Sequence, residues 1–321
     1  MKKNKKVFDV PILFLIYKNP KITQLTFNQI KKIKPTMLFI SADGPASDND
    51  RDECELTRKI VQKIDWPCKV DKKFHSTNLG LKKAVSSGIN WFFSEVAEGI
   101  ILEYDCFPNM DFFYFCQEML KRYRNDNSIF SISGSNLQGG VWRGDGDYYY
   151  SHFFGCWGWA TWKRSWRQWK PSLSKFKIFE SQNLIRNILL DAEVSRSYMK
   201  ALSDVYSGRN KTTWSFCFEY IQISQGSLSV VPNRNLISNI GFGLHATHAK
   251  NSDHPIANIP TVSLKNFKAP SFKIADLEAD TLQNKNAFYI PLKDFIVRRF
   301  ITFIKYILPE SIIILIKEKK L

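Results

Sequence analysis

Gly99-Ile100-Ile101-Leu102-Glu103-Tyr104-Asp105-Cys106 is an apolar run of strand length that stops in two carboxylates. A run this short, without alternation, suits a strand covered on both faces of a sheet. The same texture recurs upstream, at residues 10–17 (VPILFLIY) and at 36–41 just before Asp43-Gly44-Pro45, and 68–74 reads as a further strand. Between these runs, 20–34 carries Ile22, Leu25, Ile30 and Ile33 at helical spacing, and 50–64 and 81–96 also read as helices. Strands separated by helices of that length build βαβ units and a mostly parallel sheet. Such a sheet receives its ligand beyond the carboxyl ends of its strands. Polar residues stand at those ends here: Asp43, then 75–78, then Asp105.

Downstream the texture changes. Residues 136–169 cluster Gly, Asp, Tyr and Trp, and Trp157, Trp159, Trp162, Trp166 and Trp169 fall close together. Residues 179–208 read as a polar helix, 213–224 as a second helix and 227–232 as a short strand. Residues 252–286, rich in Pro and Lys, show little periodicity. The expected organisation is a catalytic-type domain over 1–250, an extended linker over 251–292 and a basic, amphipathic helical segment over 293–321.

Composition narrows the function classes. An apolar fraction of 44% excludes a mainly disordered chain, and 321 residues suffice for one large α/β domain with an appendage. A net charge of +16 favours polyanions: phosphates, nucleotides, nucleic acid or an anionic membrane face. No nucleic-acid module accompanies the basic, Trp-rich stretch 162–170, so nucleic acid is not expected as a partner. Six scattered cysteines without a C-x-x-C pair read as reduced thiols rather than a disulfide frame or zinc site. Asp9 and Pro11 interrupt the N-terminal apolar stretch, which reads as a strand rather than a signal peptide. No apolar run reaches the ~18 residues that span a bilayer. A cytoplasmic protein is expected, with the 293–321 segment docking peripherally at the inner membrane face.

Five constellations could carry chemistry. Glu103 and Asp105 offer hard oxygen ligands for Mg²⁺ or Mn²⁺, or form a solvated strand end. Asp43 could accept hydrogen bonds from a base or ribose, or close an Asp-Gly turn. Asn78-Leu79-Gly80 opens a helix whose first turn carries Lys82 and Lys83, which suits either a phosphate cradle or an ordinary cap. The Trp-rich stretch suits a stacking platform or core packing. His245 and His248 follow Gly241-Phe242-Gly243, and His248 could be a late metal ligand.

In this order along the chain, these features resemble the GT-A nucleotide-sugar glycosyltransferases, most closely a bacterial family-2-like branch related to N-acetylglucosaminyltransferase I. The resemblance runs from about Pro11 to His248. It rests on Asn78-Leu79-Gly80 leading to Gly88-Ile89-Asn90-Trp91-Phe92-Phe93, on residues 99–106, on 153–162 (FFGCWGWATW) and on 235–243 (NLISNIGFG). It implies an α/β, Rossmann-like mixed and mostly parallel sheet flanked by helices, with a C-terminal helical tail. It also implies an inverting, metal-dependent hexosyl transfer from a nucleotide-diphospho sugar, a UDP-sugar by expectation. The acceptor would be a glycan or lipid-linked acceptor in bacterial-type surface polysaccharide synthesis.

Roles follow residue by residue from the resemblance. Asp43 would meet a uracil-like base, and Glu103 the donor sugar or ribose, with Asn78, Gly80, Lys83 and Tyr104 completing the nucleotide-sugar site. Asp105 would ligate Mn²⁺ or Mg²⁺, with His248 as a late ligand. Trp157, Trp159, Trp162 and Trp214 would form the acceptor platform. Two positions depart from the family. Tyr104 stands inside what is usually Glu-Asp-Asp, and Ser215 follows Trp214 where an Asp usually serves as base. Serine cannot act as a general base at neutral pH, and Glu219, one helical turn on, is the substitute. The same departures also suit a non-catalytic member of the fold that binds a nucleotide or a partner.

Overall fold

The run Ile12–Ile16 forms strand β1 with every residue buried, as an unbroken apolar pentapeptide requires. Asn19 then caps helix α1 (Pro20–Ile33): its side-chain oxygen accepts from the Ile22 amide at 3.1 Å, and Pro20 occupies the first turn. Lys34 ends the helix in a left-handed conformation. In the computed structural model, residues 7–242 and 254–288 are described. The order continues with β2 (Met37–Ala42), α2 (Arg51–Ile60), β3 (Lys69–Phe74), α3 (Leu81–Glu95), β4 (Glu98–Glu103), β5 (Cys106–Pro108), α4 (Met110–Arg122) and β6 (Ile129–Ser133). The second half contributes β7 (Tyr148–Ser151), β8 (Trp159–Trp162), α5 (Lys163–Trp166), α6 (Phe176–Ser181), α7 (Ala192–Tyr206), α8 (Ser215–Ser224), β9 (Leu228–Pro232), β10 (Ile237–Asn239) and α9 (Leu277–Phe288).

Eight strands make one sheet in the order β3-β2-β1-β4-β8-β6-β9-β7, and β10 pairs with β5 in a small second sheet. The β1–β2, β2–β3, β1–β4 and β6–β9 pairs are parallel. β8 runs antiparallel to both β4 and β6, and β7 antiparallel to β9. This is an α/β, Rossmann-like arrangement, a mixed and mostly parallel sheet flanked by helices. Alternation along β1 explains the two cores. Ile12, Phe14 and Ile16 face Phe27 and Ile30 of α1 and the phenylalanines of α4, whereas Leu13 and Leu15 face Val85, Ile89 and Phe92 of α3. Strand β3, at one edge of the large sheet, is polar, and its lysines suit an unpaired strand edge.

Two expectations are corrected by tertiary structure. The single helix expected over 179–208 is α6, a short 3-10 turn and α7. Asn183 turns left-handed, and Asp191 starts α7 by accepting from the Glu193 and Val194 amides at 2.7 and 3.0 Å. The linker expected over 251–292 packs against the domain throughout its described part. The Leu264 amide donates to Asp111 at 2.9 Å, the Val262 amide to the Asn235 carbonyl at 2.8 Å and the Asp276 amide to the Tyr150 carbonyl at 2.9 Å. Buried Asp280 of α9 then accepts from the Ser151 hydroxyl and lies 2.8 Å from His152 Nδ1, which closes the β7 edge. Residues 293–321 lie outside the described residues, and no described helix is long and apolar enough to cross a membrane.

Candidate functional site

Because β6 is antiparallel to β8 and β8 to β4, the carboxyl ends of β1, β2, β3, β4, β6 and β9 all reach one edge of the sheet. The register sets Glu103 beside Leu15, and Ala42 beside both Ile16 and Phe74. The loops leaving these strands therefore wall one crevice.

Asp43 is the knot of that crevice. Its Oδ1 accepts from the Gly44 and Leu79 amides, both at 2.8 Å, and its Oδ2 from the Gly80 amide and Asn78 Nδ2, both at 3.1 Å. Asn78 Nδ2 also lies 3.2 Å from the Tyr17 hydroxyl, which links the ends of β1, β2 and β3. Gly44 is required for steric reasons, since a Cβ there would lie 2.4 Å from the Thr77 carbonyl carbon. Gly80, at φ +78°, opens α3. With each oxygen accepting twice, the Asp43 carboxylate shapes the loop that borders a ligand and has no acceptor position left over for a base. Asp43→Ala is therefore expected to cost about 2 kcal/mol in urea unfolding, by orphaning backbone donors. A carboxylate that served a base alone would leave unfolding unchanged.

Glu103 ends β4 and Asp105 follows two residues on, both at this edge of the sheet and partly open to solvent. The intervening Tyr104 is pinned through its backbone, whose carbonyl accepts from the Thr26 hydroxyl at 2.7 Å. The Asp105 carbonyl accepts from the Ile240 amide at 2.9 Å, and Gly241 presses so close that a Cβ there would lie 2.3 Å from Asp105 Oδ2. Burial raises both carboxyls above their ordinary range, and the Asp105 charge raises Glu103 further. Burial, with both carboxylates adjacent, also raises the Tyr104 phenol. Among the described residues no Lys, Arg or His pairs with either carboxylate, and no third His, Cys, Asp or Glu completes a ligand cluster with them. His248 lies outside the described residues.

The remaining expected site residues are placed elsewhere. Lys82 Nζ donates to the Pro171 carbonyl at 2.8 Å. Exposed Lys83 lines a groove on the flank with Lys73, Ser86, Ser87, Asn90 and Trp91, apart from the carboxylates. The acceptor platform is corrected by burial: Trp159, Trp162 and Trp214 are 0%, 2% and 3% exposed and offer no face to a ligand. Trp159 stacks on Trp214 at 5.6 Å within the core, and Trp162 carries Arg164 at 4.2 Å. Half-buried Trp157 remains, edge-on to Phe242 at 5.7 Å.

Glu219 is also turned inward. Its Oε2 accepts from the Phe154 amide at 2.8 Å and its Oε1 from the Tyr198 hydroxyl, and burial lifts its pKa to about 7. A base must reach its proton within hydrogen-bond distance, and Glu219 supports the 153–156 loop instead. Tyr17, Gly241 and Cys156 border the site without having been singled out as site residues from the sequence. The Cys156 thiol bonds to Ser215, and burial together with Glu103 and Glu219 raises its pKa. Of these, Gly241 had a signal, the Gly-Phe-Gly triplet.

No protein-family profile matches the chain, and no curated protein matches it. Among solved structures, it is similar to apo mouse xyloside xylosyltransferase 1, with 13% identity over 70% of this chain and 84% of that one (TM-score 0.37). It is similar to an apo UDP-glucose pyrophosphorylase at 9% identity over 70% and 90% (TM-score 0.36). It is also similar to HddC from Yersinia pseudotuberculosis at 11% over 49% and 78% (TM-score 0.32). Likenesses this distant assign neither substrate nor reaction.

Proposed function

We propose that this chain is an inverting, divalent-cation-dependent hexosyltransferase that uses a nucleotide-diphospho sugar, UDP-linked, and a glycan or lipid-linked acceptor. The observation that carries the reading is the unpaired carboxylate pair Glu103 and Asp105 at the carboxyl end of β4. Two neighbouring carboxylates without a basic partner are costly in a recess unless a cation or protons offset their charge. Their oxygens suit Mg²⁺ or Mn²⁺, and Gly241 packs against Asp105 Oδ2 where no side chain could fit. When bound, such a cation supplies Lewis-acid neutralisation of the departing diphosphate. The N-terminus of α3 is occupied by the Asp43 carboxylate, which leaves the neutralisation of a diphosphate to the cation. Glu219, enclosed by Phe154 and Tyr198, is not placed to deprotonate an acceptor.

Calorimetric titration of UDP into the full chain, with and without Mn²⁺, tests this reading. Binding that requires Mn²⁺ and falls below detection in Asp105→Ala is the expected result. Binding indifferent to both overturns it. A second reading, a nucleotide binder without transfer, is favoured by the seclusion of Glu219. It predicts metal-dependent UDP binding with no UDP released from UDP-sugars across an acceptor panel.

A further inference from the structure

The rim that holds Glu103 and Asp105 continues along the sheet to the ends of β6 and β9, two and three strand spacings from β4, or about 10 and 14 Å. The loop leaving β6, 134–147, meets the segment leaving β9 there. Asn233, 2% exposed, accepts from the Arg143 amide at 2.8 Å and donates to the Arg143 and Gly146 carbonyls at 2.7 and 3.0 Å. Gln138, 1% exposed, accepts from Arg143 Nε and donates to the Ala279 carbonyl, both at 3.0 Å. Gly139 and Gly140, at φ +62° and +91°, let the chain turn sharply above these anchors.

What this braced loop presents is Trp142, 43% exposed, next to exposed Val141. The guanidinium of exposed Arg234 lies 5.2 Å from the Trp142 ring centroid, and no carboxylate pairs with Arg234 among the described residues. Buried polar anchors fix a large apolar ring in water, so its ordering cost is met before any ligand arrives. A flat indole face suits the C–H face of a pyranose, and the guanidinium fork suits a carboxylate bidentately. A chain of net charge +16 adds a field that attracts an acidic polymer.

We propose that Trp142 and Arg234 form a subsite for an acidic oligosaccharide. Its assignment as part of the acceptor rests on the transferase reading above. Calorimetry of tetragalacturonate and of neutral maltotetraose into the full chain tests it, with UDP plus Mn²⁺ titrated into the same samples. The native chain is expected to prefer tetragalacturonate by about tenfold or more. Trp142→Ala is expected to weaken tetragalacturonate by about tenfold, and Arg234→Gln to erase the preference, with UDP binding unchanged in both. Both side chains are exposed, so melting temperatures should stay within about 2 °C of native. Failure of the native chain to bind tetragalacturonate overturns the subsite, as does unaltered binding by Trp142→Ala or a tighter fit of an oligothymidylate at Trp142. Tetragalacturonate bound through Trp142 without any UDP binding keeps the subsite and removes the transferase reading.

Discussion

Trp159→Ala is expected to cost about 3–5 kcal/mol of folding stability, the range for emptying a large aromatic site in a core. In a domain of this size that lowers the melting temperature by on the order of 10 °C. Trp159 lies at the start of β8, whose pairing joins the β3-β2-β1-β4 half of the sheet to the β6-β9-β7 half. Its ring contacts Phe154 at 4.7 Å, Phe218 at 5.3 Å and Trp166 at 6.3 Å, besides Trp214. Removing it opens a cavity lined by four aromatic rings that cannot collapse without moving α8 or the 153–156 loop. Trp159→Phe should cost less than half as much, because it keeps a ring in the cluster and removes an indole N–H that has no hydrogen-bond partner. Denaturant unfolding of the two variants checks the pair of values. A surface platform residue would behave in the opposite way, with stability kept and acceptor affinity lost.

The first half of the sheet was legible because β1, β2 and β4 are continuous apolar runs, punctuated by Asn19-Pro20 and Asp43-Gly44-Pro45, whereas β3 is polar. Those signals are local, and so is the Glu103–Asp105 strand end. Burial of the tryptophans was not legible. Trp159 to Trp162 reads as an indole-rich surface, and only pairing on both edges of β8, with helices over its faces, hides those rings. Trp142 carried the better signal for exposure, since Gly139, Gly140, Gly144 and Gly146 surround it and no strand or helix can claim it. The packing of 254–288 depends on partners such as Asp111, Asp145 and Tyr150, more than a hundred residues earlier in sequence. No local pattern announces contacts of that range. Likewise, the spacing that sets Glu219 one turn beyond Ser215 fixes its position on α8 but not the element it faces.

Glu219 makes the stability of the chain dependent on pH in a stated direction. Burial, aided by the nearby charge of Asp280 on α9 and opposed by the hydrogen bonds from Tyr198 of α7 and the Phe154 amide, holds its folded pKa at about 7, against an ordinary 4.5. Between these values the unfolded chain has released the proton while the folded chain retains it. The folded state therefore binds more protons, and stability falls as pH rises. The contribution is fully present below pH 4.5 and lost once pH exceeds about 7, a change of about 3 kcal/mol at 1.36 kcal/mol per pK unit. Glu219→Gln cannot ionise, yet its amide oxygen can still accept from Phe154 and its NH₂ can donate to the Tyr198 oxygen. The variant is expected to be more stable than native at pH 8 by about 2–3 kcal/mol, to lose that margin towards pH 5, and to retain any transfer activity. Urea unfolding at pH 5 and pH 8 measures the first two. A variant that unfolds like native at both pH values, but no longer transfers sugar, would return Glu219 to the role of base, since then its proton would matter to the reaction and not to the fold.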